Sequence, residues 1–301
     1  MTMVAFTGSI ELGLIYALLA LGIFVSYRIL GVADLTVEGS FTAGAAVSAM
    51  FVVAGHPFLG IFAVAAVGAL AGICSAFLQT KMRIQPILAG ILTMTALYSV
   101  NIAIMHGRPN IPMLREETMF TILASLAGSM QTARILLPVG AVTIAGIALS
   151  LFFHTRLGLS VRATGDNEDM VRASSINSTY TKSVGLAIGN ALAALSGGIA
   201  AQYQQFADIN MGFGMVVVAL ASLIIGEAIF GRRSVIWNIG AVAIGAVLYR
   251  IILAFVLSFR LNPANLRAIS AIIVAVAISY PAAKNLWSVY MLKRKARMGN
   301  A

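Results

Sequence analysis

Apolar runs of about twenty residues, the length a helix needs to cross a bilayer, recur along this chain and leave little from which to build a water-soluble core. Nine such windows are bounded by charge, proline or polar clusters: 8–27, 39–55, 58–79, 86–105, 134–153, 183–203, 213–230, 235–258 and 267–286. Hydrophobic residues make up 60% of the 301 and charged ones 10%, where a soluble domain carries roughly 25% charge. The 28 glycines, with abundant alanine and serine, suit close helix packing in lipid, whereas barrel strands would alternate in polarity. The expected fold is all-α, a polytopic integral membrane bundle of about nine (eight to ten) helices forming one transmembrane domain over 1–301.

The formal net charge is +10. In a membrane chain such an excess marks the cytoplasmic side and its anionic lipid rather than nucleic acid. If the N-terminus lies outside, cytoplasmic segments hold fourteen of the 20 Lys and Arg, external segments hold five, and Arg250 falls inside a span. The opposite topology inverts this bias, so the N-terminus is expected outside and the C-terminus, with Lys293 to Arg297, inside. A weak point is "GVADLTVEGSFTAGAA" (Gly31 to Ala46), where Asp34 and Glu38 stand among glycines. It reads either as a short cytoplasmic loop or as a broken, re-entrant helix. The second would raise the count to ten and move the N-terminus inside. The longest external segment is 106–133, whose part Thr121 to Met130 is apolar enough for a short helix lying against the bundle.

Several chemistries are missing. No GxxxxGK[ST] loop occurs, so ATP is not expected to bind to this chain. His56, His106 and His154 stand far apart near span ends and Cys74 is the only cysteine, so no metal site is expected. Serine is plentiful, but without a nearby histidine on a plausible common face there is no base to activate it, and no enzyme activity is expected of this chain. Glu227 can pair with Arg232 or Arg233, and Arg250 either snorkels outward or faces an aqueous cavity. None of the ten acids falls clearly at the middle of a span, which argues against a carrier driven by an ion gradient.

One polar run of both signs interrupts this pattern: "VRATGDNEDMVRASSIN", Val161 to Asn177. It reads as two short helices, the first ending at Gly165 and the second capped by Asp166 or Asn167. Met170, Val171 and Ala173 form a small apolar face on the second piece, too short to be stable unless it packs on something.

The wider stretch Gly158 to Tyr203 resembles the signature region of permease subunits of bacterial ABC importers in the branched-chain amino-acid and ribose permease family. The matching positions are Gly158, Arg162, Ala163, Gly165, Asn167, Ala173 and Ile176, while Ser175 stands where the family usually has glycine. Gly13 to Phe41 is similar to the family's first helix and following turn, and Val218 to Val235 to its penultimate block. Departures at "ADLTVEGS" and "GEAIFGRRS" look like the subgroup paired with binding lipoproteins for tryptophan or tyrosine.

The resemblance implies that 154–182 carries cytoplasmic coupling helices, with Arg162, Ala163, Gly165, Asp166, Asn167, Glu168, Met170, Val171, Ala173 and Ile176 meeting a separate ATPase dimer. It also implies a second permease copy, an external substrate-binding lipoprotein, and the bacterial cytoplasmic (inner) membrane. ATP and Mg would bind in the partner subunit and no cofactor in this chain. Arg108, Arg115, Arg260 and Arg267 are candidates for docking the binding protein, or else plain solvated loop charge. Tyr98, Asn101, Asn190, Gln202 and Asn238 are polar residues in apolar spans. Each serves either the solute path or a helix-to-helix hydrogen bond, the latter worth only ~0.6 kcal/mol on average.

Overall fold

The computed structural model describes residues 3–258, together with 272 and 275. Eleven α-helices and one two-stranded sheet cover them: α1 Met3–Ile23, α2 Thr36–Val53, α3 Leu59–Thr80, α4 Pro86–Ile104, α5 Met119–Ala127, α6 Met130–His154, α7 Arg156–Asp166, α8 Glu168–Ala173, α9 Ser178–Gln204, α10 Met215–Phe230 and α11 Val235–Leu257, with strands β1 Asn110–Pro112 and β2 Phe206–Asp208. A π-helical turn, Phe24–Ile29, extends α1. Among the described residues seven helices are long and apolar enough to cross a membrane, and α10 is a shorter apolar one. Eight of the nine expected windows are therefore helical. The ninth, 267–286, falls almost wholly outside the described residues, as do Arg260, Arg267 and the basic stretch 293–297.

Burial sorts these helices into layers. The spans of α1, α2 and α9 are mostly enclosed by protein, whereas α4 and α6 are largely exposed. A helix buried on every side needs no polar face, and the fully buried run Ala17 to Val25 is apolar with small residues. Small residues then decide how close the backbones come. A Cβ at Gly44 would run into the Ala194 carbonyl, and one at Gly72 into the Leu186 carbonyl. Those clashes are avoided only with glycine, so α2 and α3 lie directly on α9, the packing that small-residue interfaces allow in lipid.

Contacts along α9 fix the direction of its neighbours. The Tyr203 hydroxyl, at the far end of α9, donates to Glu11 Oε2 at 2.6 Å, and Gly22 meets Gly189 nearer the start. So α1 runs antiparallel to α9, and the amino-terminal end of α1 lies at the opposite end of the bundle from α7 and α8. The strands stand at the α1-start end, because β1 pairs antiparallel with β2 directly after α9.

The segment 31–46 fits neither expected form as stated. It is not an extra crossing: α1 with its π turn runs the full length, and the Ile29 carbonyl abuts Gly165 of α7. The chain then climbs without helix through 31–34, and α2 begins only where Asp34 accepts the Asn190 amide at 2.6 Å. Asn190 is the twelfth residue after Ser178 in the 27-residue α9, about 18 Å along its axis. From the other end, the chain after β2 turns back into the bundle, so α10 also starts at mid-length: Gly212 N–H donates to Thr42 Oγ1 at 3.0 Å and Gly214 N–H to Glu38 Oε1 at 3.0 Å. The window 213–230 is thus a partial pass rather than a full one.

Candidate functional site

Two helix starts that meet at mid-bundle create the polar heart of this protein. Asp34 is buried and bridges α2 and α9. Its Oδ1 accepts the Thr36 N–H at 3.0 Å, its Oδ2 accepts Asn190 Nδ2, and Asn190 Oδ1 accepts the Ser40 hydroxyl at 2.7 Å. All four residues are essentially inaccessible to solvent, and Asp34 itself is 2% exposed. Neither Asp34 nor Glu38 falls at the middle of a span, as expected, yet the interior of the bundle is not free of carboxylates. Asp34 and Glu38 both lie level with the centre of α9, brought there because α2 begins late rather than at the membrane surface.

Beside this network, between α2, α4 and the returning 209–214 loop, opens a cavity of about 260 Å³. Its wall includes Glu38, Thr42, Tyr98, Asn101, Asn210 and Phe213. Glu38 Oε1 accepts the N–H groups of Gly214 and Val216 at 3.0 and 3.4 Å, which satisfies the exposed donors at the start of α10. Asn101 is 1% exposed. Its Nδ2 donates to the Gly39 carbonyl at 3.3 Å, and its Oδ1 has no hydrogen-bond partner among the described residues.

Of the five polar span residues singled out from sequence, the structure brings Tyr98 and Asn101 to this cavity and leaves three elsewhere. Asn190 is committed to the Asp34 network. Gln202 is buried between elements, its Nε2 donating to Ser48 Oγ at 2.9 Å and its Oε1 accepting the Met119 N–H at 2.9 Å. Asn238 stands in the first turn of α11, close to Arg232 and Arg233 in sequence, away from the cavity wall. Glu38, Thr42 and the 209–214 loop were missed. The signal available was the acid and glycines of 31–46 together with the Asp208, Asn210, Gly212 and Gly214 cluster.

At the α7–α8 end a compact polar knuckle projects. Three side chains cap its helices: Thr155 accepts the Gly158 N–H, Asn167 the Met170 N–H and Asn177 the Tyr180 N–H. Val161 and Val171 are buried against the bundle and Arg162 and Ala163 are half-buried, whereas Asp166, Asn167, Met170 and Ala173 are exposed. Gly165 passes against Ile29, and the half-buried Ile176 donates its N–H to the Val171 carbonyl at 3.2 Å. Ser175 has φ 60°, the left-handed conformation that glycine adopts without cost, so the turn keeps a glycine-like backbone although serine stands there. Glu168 ties α8 down through Arg172, at 2.6 Å, and Lys182. Partial burial opposes ionisation of Glu168, but Lys182 and Arg172 outweigh it and hold the carboxyl below its ordinary value. Nearby, Glu227 pairs with Arg232 at 2.7 Å and with Arg28 at 2.9 Å. Arg250 lies over the Tyr16 ring at 5.2 Å.

At the strand end, Arg108 and Arg115 are both exposed, and Arg115 adjoins Glu116 and Glu117 in sequence. Among the described residues no three His, Cys, Asp or Glu side chains cluster as metal ligands.

Residues 6–278 match a family model described as branched-chain amino acid transport system, permease component. The chain belongs to that permease family. It is 34% identical over 286 residues to the tyrosine transport system permease protein of Clostridioides difficile (strain R20291), covering 95% of this chain and 92% of that one. It is 28% identical over 264 residues to the ribose import permease protein of Escherichia coli (strain K12), covering 85% and 76%. An uncharacterized protein of Rickettsia prowazekii (strain Madrid E) is 38% identical over 275 residues, 90% and 95% of the two chains. No solved structure matches. With seven membrane-length helices among the described residues and this family, the permease is a multi-pass membrane protein and a transport component.

Proposed function

We propose that this permease is the transmembrane subunit of an ATP-binding-cassette importer in the bacterial inner membrane, moving a small polar solute handed over by an external binding protein. The observation that carries the reading is the knuckle of α7 and α8: a short, side-chain-capped, charged element that stands off one end of the bundle and presents Met170 and Ala173 outward. Isolated short helices are not stable in water, and here the buried Val161 and Val171 hold the body while the outer face stays free to meet another subunit. An ATPase dimer with bound ATP and Mg would act there, and its closure would reach the bundle through Gly165 against Ile29. The positive-inside bias puts this end in the cytoplasm. Arg108 and Arg115 then lie outside, where a binding protein would dock through several weak, salt-sensitive contacts.

The cavity around Glu38 would carry the solute. A carboxylate at mid-bundle cannot face hydrocarbon cheaply, and the wall it shares with the exposed Tyr98 is open on the α4 side. A second copy of the permease would cover it and form the path. Copurification of the ATPase with the wild-type chain, and loss of solute-coupled ATP hydrolysis in proteoliposomes for Arg162→Glu and Met170→Pro with helical content unchanged, would support the reading. Coupled hydrolysis that survives both substitutions contradicts it. One observation favours a second reading, a carrier driven by an ion gradient: Asp34 and Glu38 at mid-bundle. Uptake driven by a proton or sodium gradient in liposomes lacking ATPase would decide for it.

A further inference from the structure

One end of α10 stands in the wall of the mid-bundle cavity and the other at the knuckle end of the bundle. At its start the Gly214 and Val216 N–H groups are held by Glu38 Oε1, and Asn210, Gly212 and Phe213 just before it line the cavity. The helix then runs 16 residues, about 24 Å along its axis. Its only charged residue is Glu227, whose side chain is 6% exposed. Oε2 meets Arg232 at 2.7 Å and Oε1 meets Arg28 Nε at 2.9 Å. The two arginines tie different things. Arg232 follows Glu227 by five residues, just past the helix end, whereas Arg28 belongs to the π-helical turn that closes α1.

That turn is also where the knuckle touches α1. The Leu30 N–H donates to the Val25 carbonyl five residues back at 3.1 Å, the wide register of a π turn, a form that recurs at functional positions. A Cβ at Gly165 of α7 would fall on the Ile29 carbonyl, and Leu30 packs with Val161 of α7. On its other side α10 is seated on α11 as one body, since a Cβ at Gly226 would meet the Ala241 carbonyl and one at Gly245 the Ser222 carbonyl.

We propose that Arg28 and Glu227 form the joint through which the knuckle moves the cavity wall. Displacement of α7 shifts the π turn, the ion pair carries the shift to α10, and α10 carries it to Phe213 and Glu38. A buried carboxylate suits this use, because separating it from its guanidinium leaves an uncompensated charge. Close-packed helices pass a displacement on rather than absorb it. Mere neutralisation of Glu227 would be served by Arg232 alone. The proposal rests on the importer reading and makes Arg28 and Glu227 positioning residues that touch neither ATP nor solute.

The test uses the full-length permease copurified with its ATPase in lipid nanodiscs, with Cys74→Ser and a reporter, Phe213→Cys, in the cavity wall. The probe is N-ethylmaleimide, and its labelling rate is measured without nucleotide and after trapping with ATP and orthovanadate. With the joint intact the rate should change about fivefold or more, the lower end of ordinary coupling between distant sites. Arg28→Gln should abolish the change. Arg232→Gln, which deprives Glu227 of one partner just the same, should keep it. If Arg28→Gln fails to assemble with the ATPase, Glu227→Asp is read in its place; it keeps both charges, draws the carboxylate back by one methylene and should reduce the change. An unresponsive reporter with the joint intact, a full response in Arg28→Gln or Glu227→Asp, or equal losses in Arg28→Gln and Arg232→Gln overturns the proposal. Failure of the importer reading shows up separately, as absence of an ATPase in the purified complex, and takes the joint with it.

Discussion

The knuckle of α7 and α8 and the polar mid-bundle are built from the same kinds of residue, yet they are held in opposite ways. In the knuckle most polar contacts are local: Thr155 caps three residues on, as do Asn167 and Asn177, and Arg172 reaches Glu168 one turn away, with Lys182 as a tie to α9. At mid-bundle the partners are distant in sequence, Asp34 with Asn190 and Glu38 with Gly214. Local capping makes an element that keeps its shape while it moves, which suits force transmission. Long-range pairing in the interior ties three helices together, which suits a fixed site.

Breaking each region should therefore give effects of different size and reach. Asp34→Ala removes the acceptor of the Thr36 N–H and of Asn190 Nδ2 in a buried place, and about 3 kcal/mol of global stability should go with them. Thermal unfolding of the solubilised protein checks this, and a loss below about 1 kcal/mol would show that the network is dispensable. Asn167→Ala deletes one helix cap, a change of about 1 kcal/mol. Its effect should stay local, seen as faster amide exchange over 168–173 with the melting midpoint unmoved.

The smallest effect sharpens the comparison through pH. Glu168 is held below its ordinary value of 4.5 by Lys182 and Arg172, so folding depresses its pKa. Its contribution is then fully present above about 4.5 and is lost as the pH falls through the lower, folded value. Amide exchange over 168–182 should rise on acidification below that range while the mid-bundle stays protected, and Glu168→Gln should abolish the step. Because Glu168 is partly exposed, the stabilisation involved is modest.

Sequence alone reaches the first region far better than the second. The knuckle's helices, its stop near Gly165 and its cap at Asn167 follow from signals a few residues apart, and the apolar windows fix eight of the helices from length and composition. Where a helix begins within the bundle is another matter. Nothing local in "GVADLTVEGS" says that α2 starts level with the middle of α9, since that depends on the Asn190 amide and on glycines that let backbones touch. The same blindness hid the partial pass of α10. It also made Asn190 and Gln202 look like path residues, because a polar side chain in an apolar window reads alike whether it faces solute or a neighbouring helix. Glu38 was visible as a charge and invisible as a wall.

The most direct test places one cysteine at the knuckle. With Cys74→Ser as background, Met170→Cys should be blocked to a membrane-impermeant maleimide added to intact cells. On mild oxidation or addition of a bifunctional cross-linker to opened membranes, it should yield an adduct with an ATPase subunit. Labelling from outside the cell, or an accessible inner cysteine that joins to no second subunit in the working transporter, would contradict the proposal that this knuckle receives the work of ATP hydrolysis.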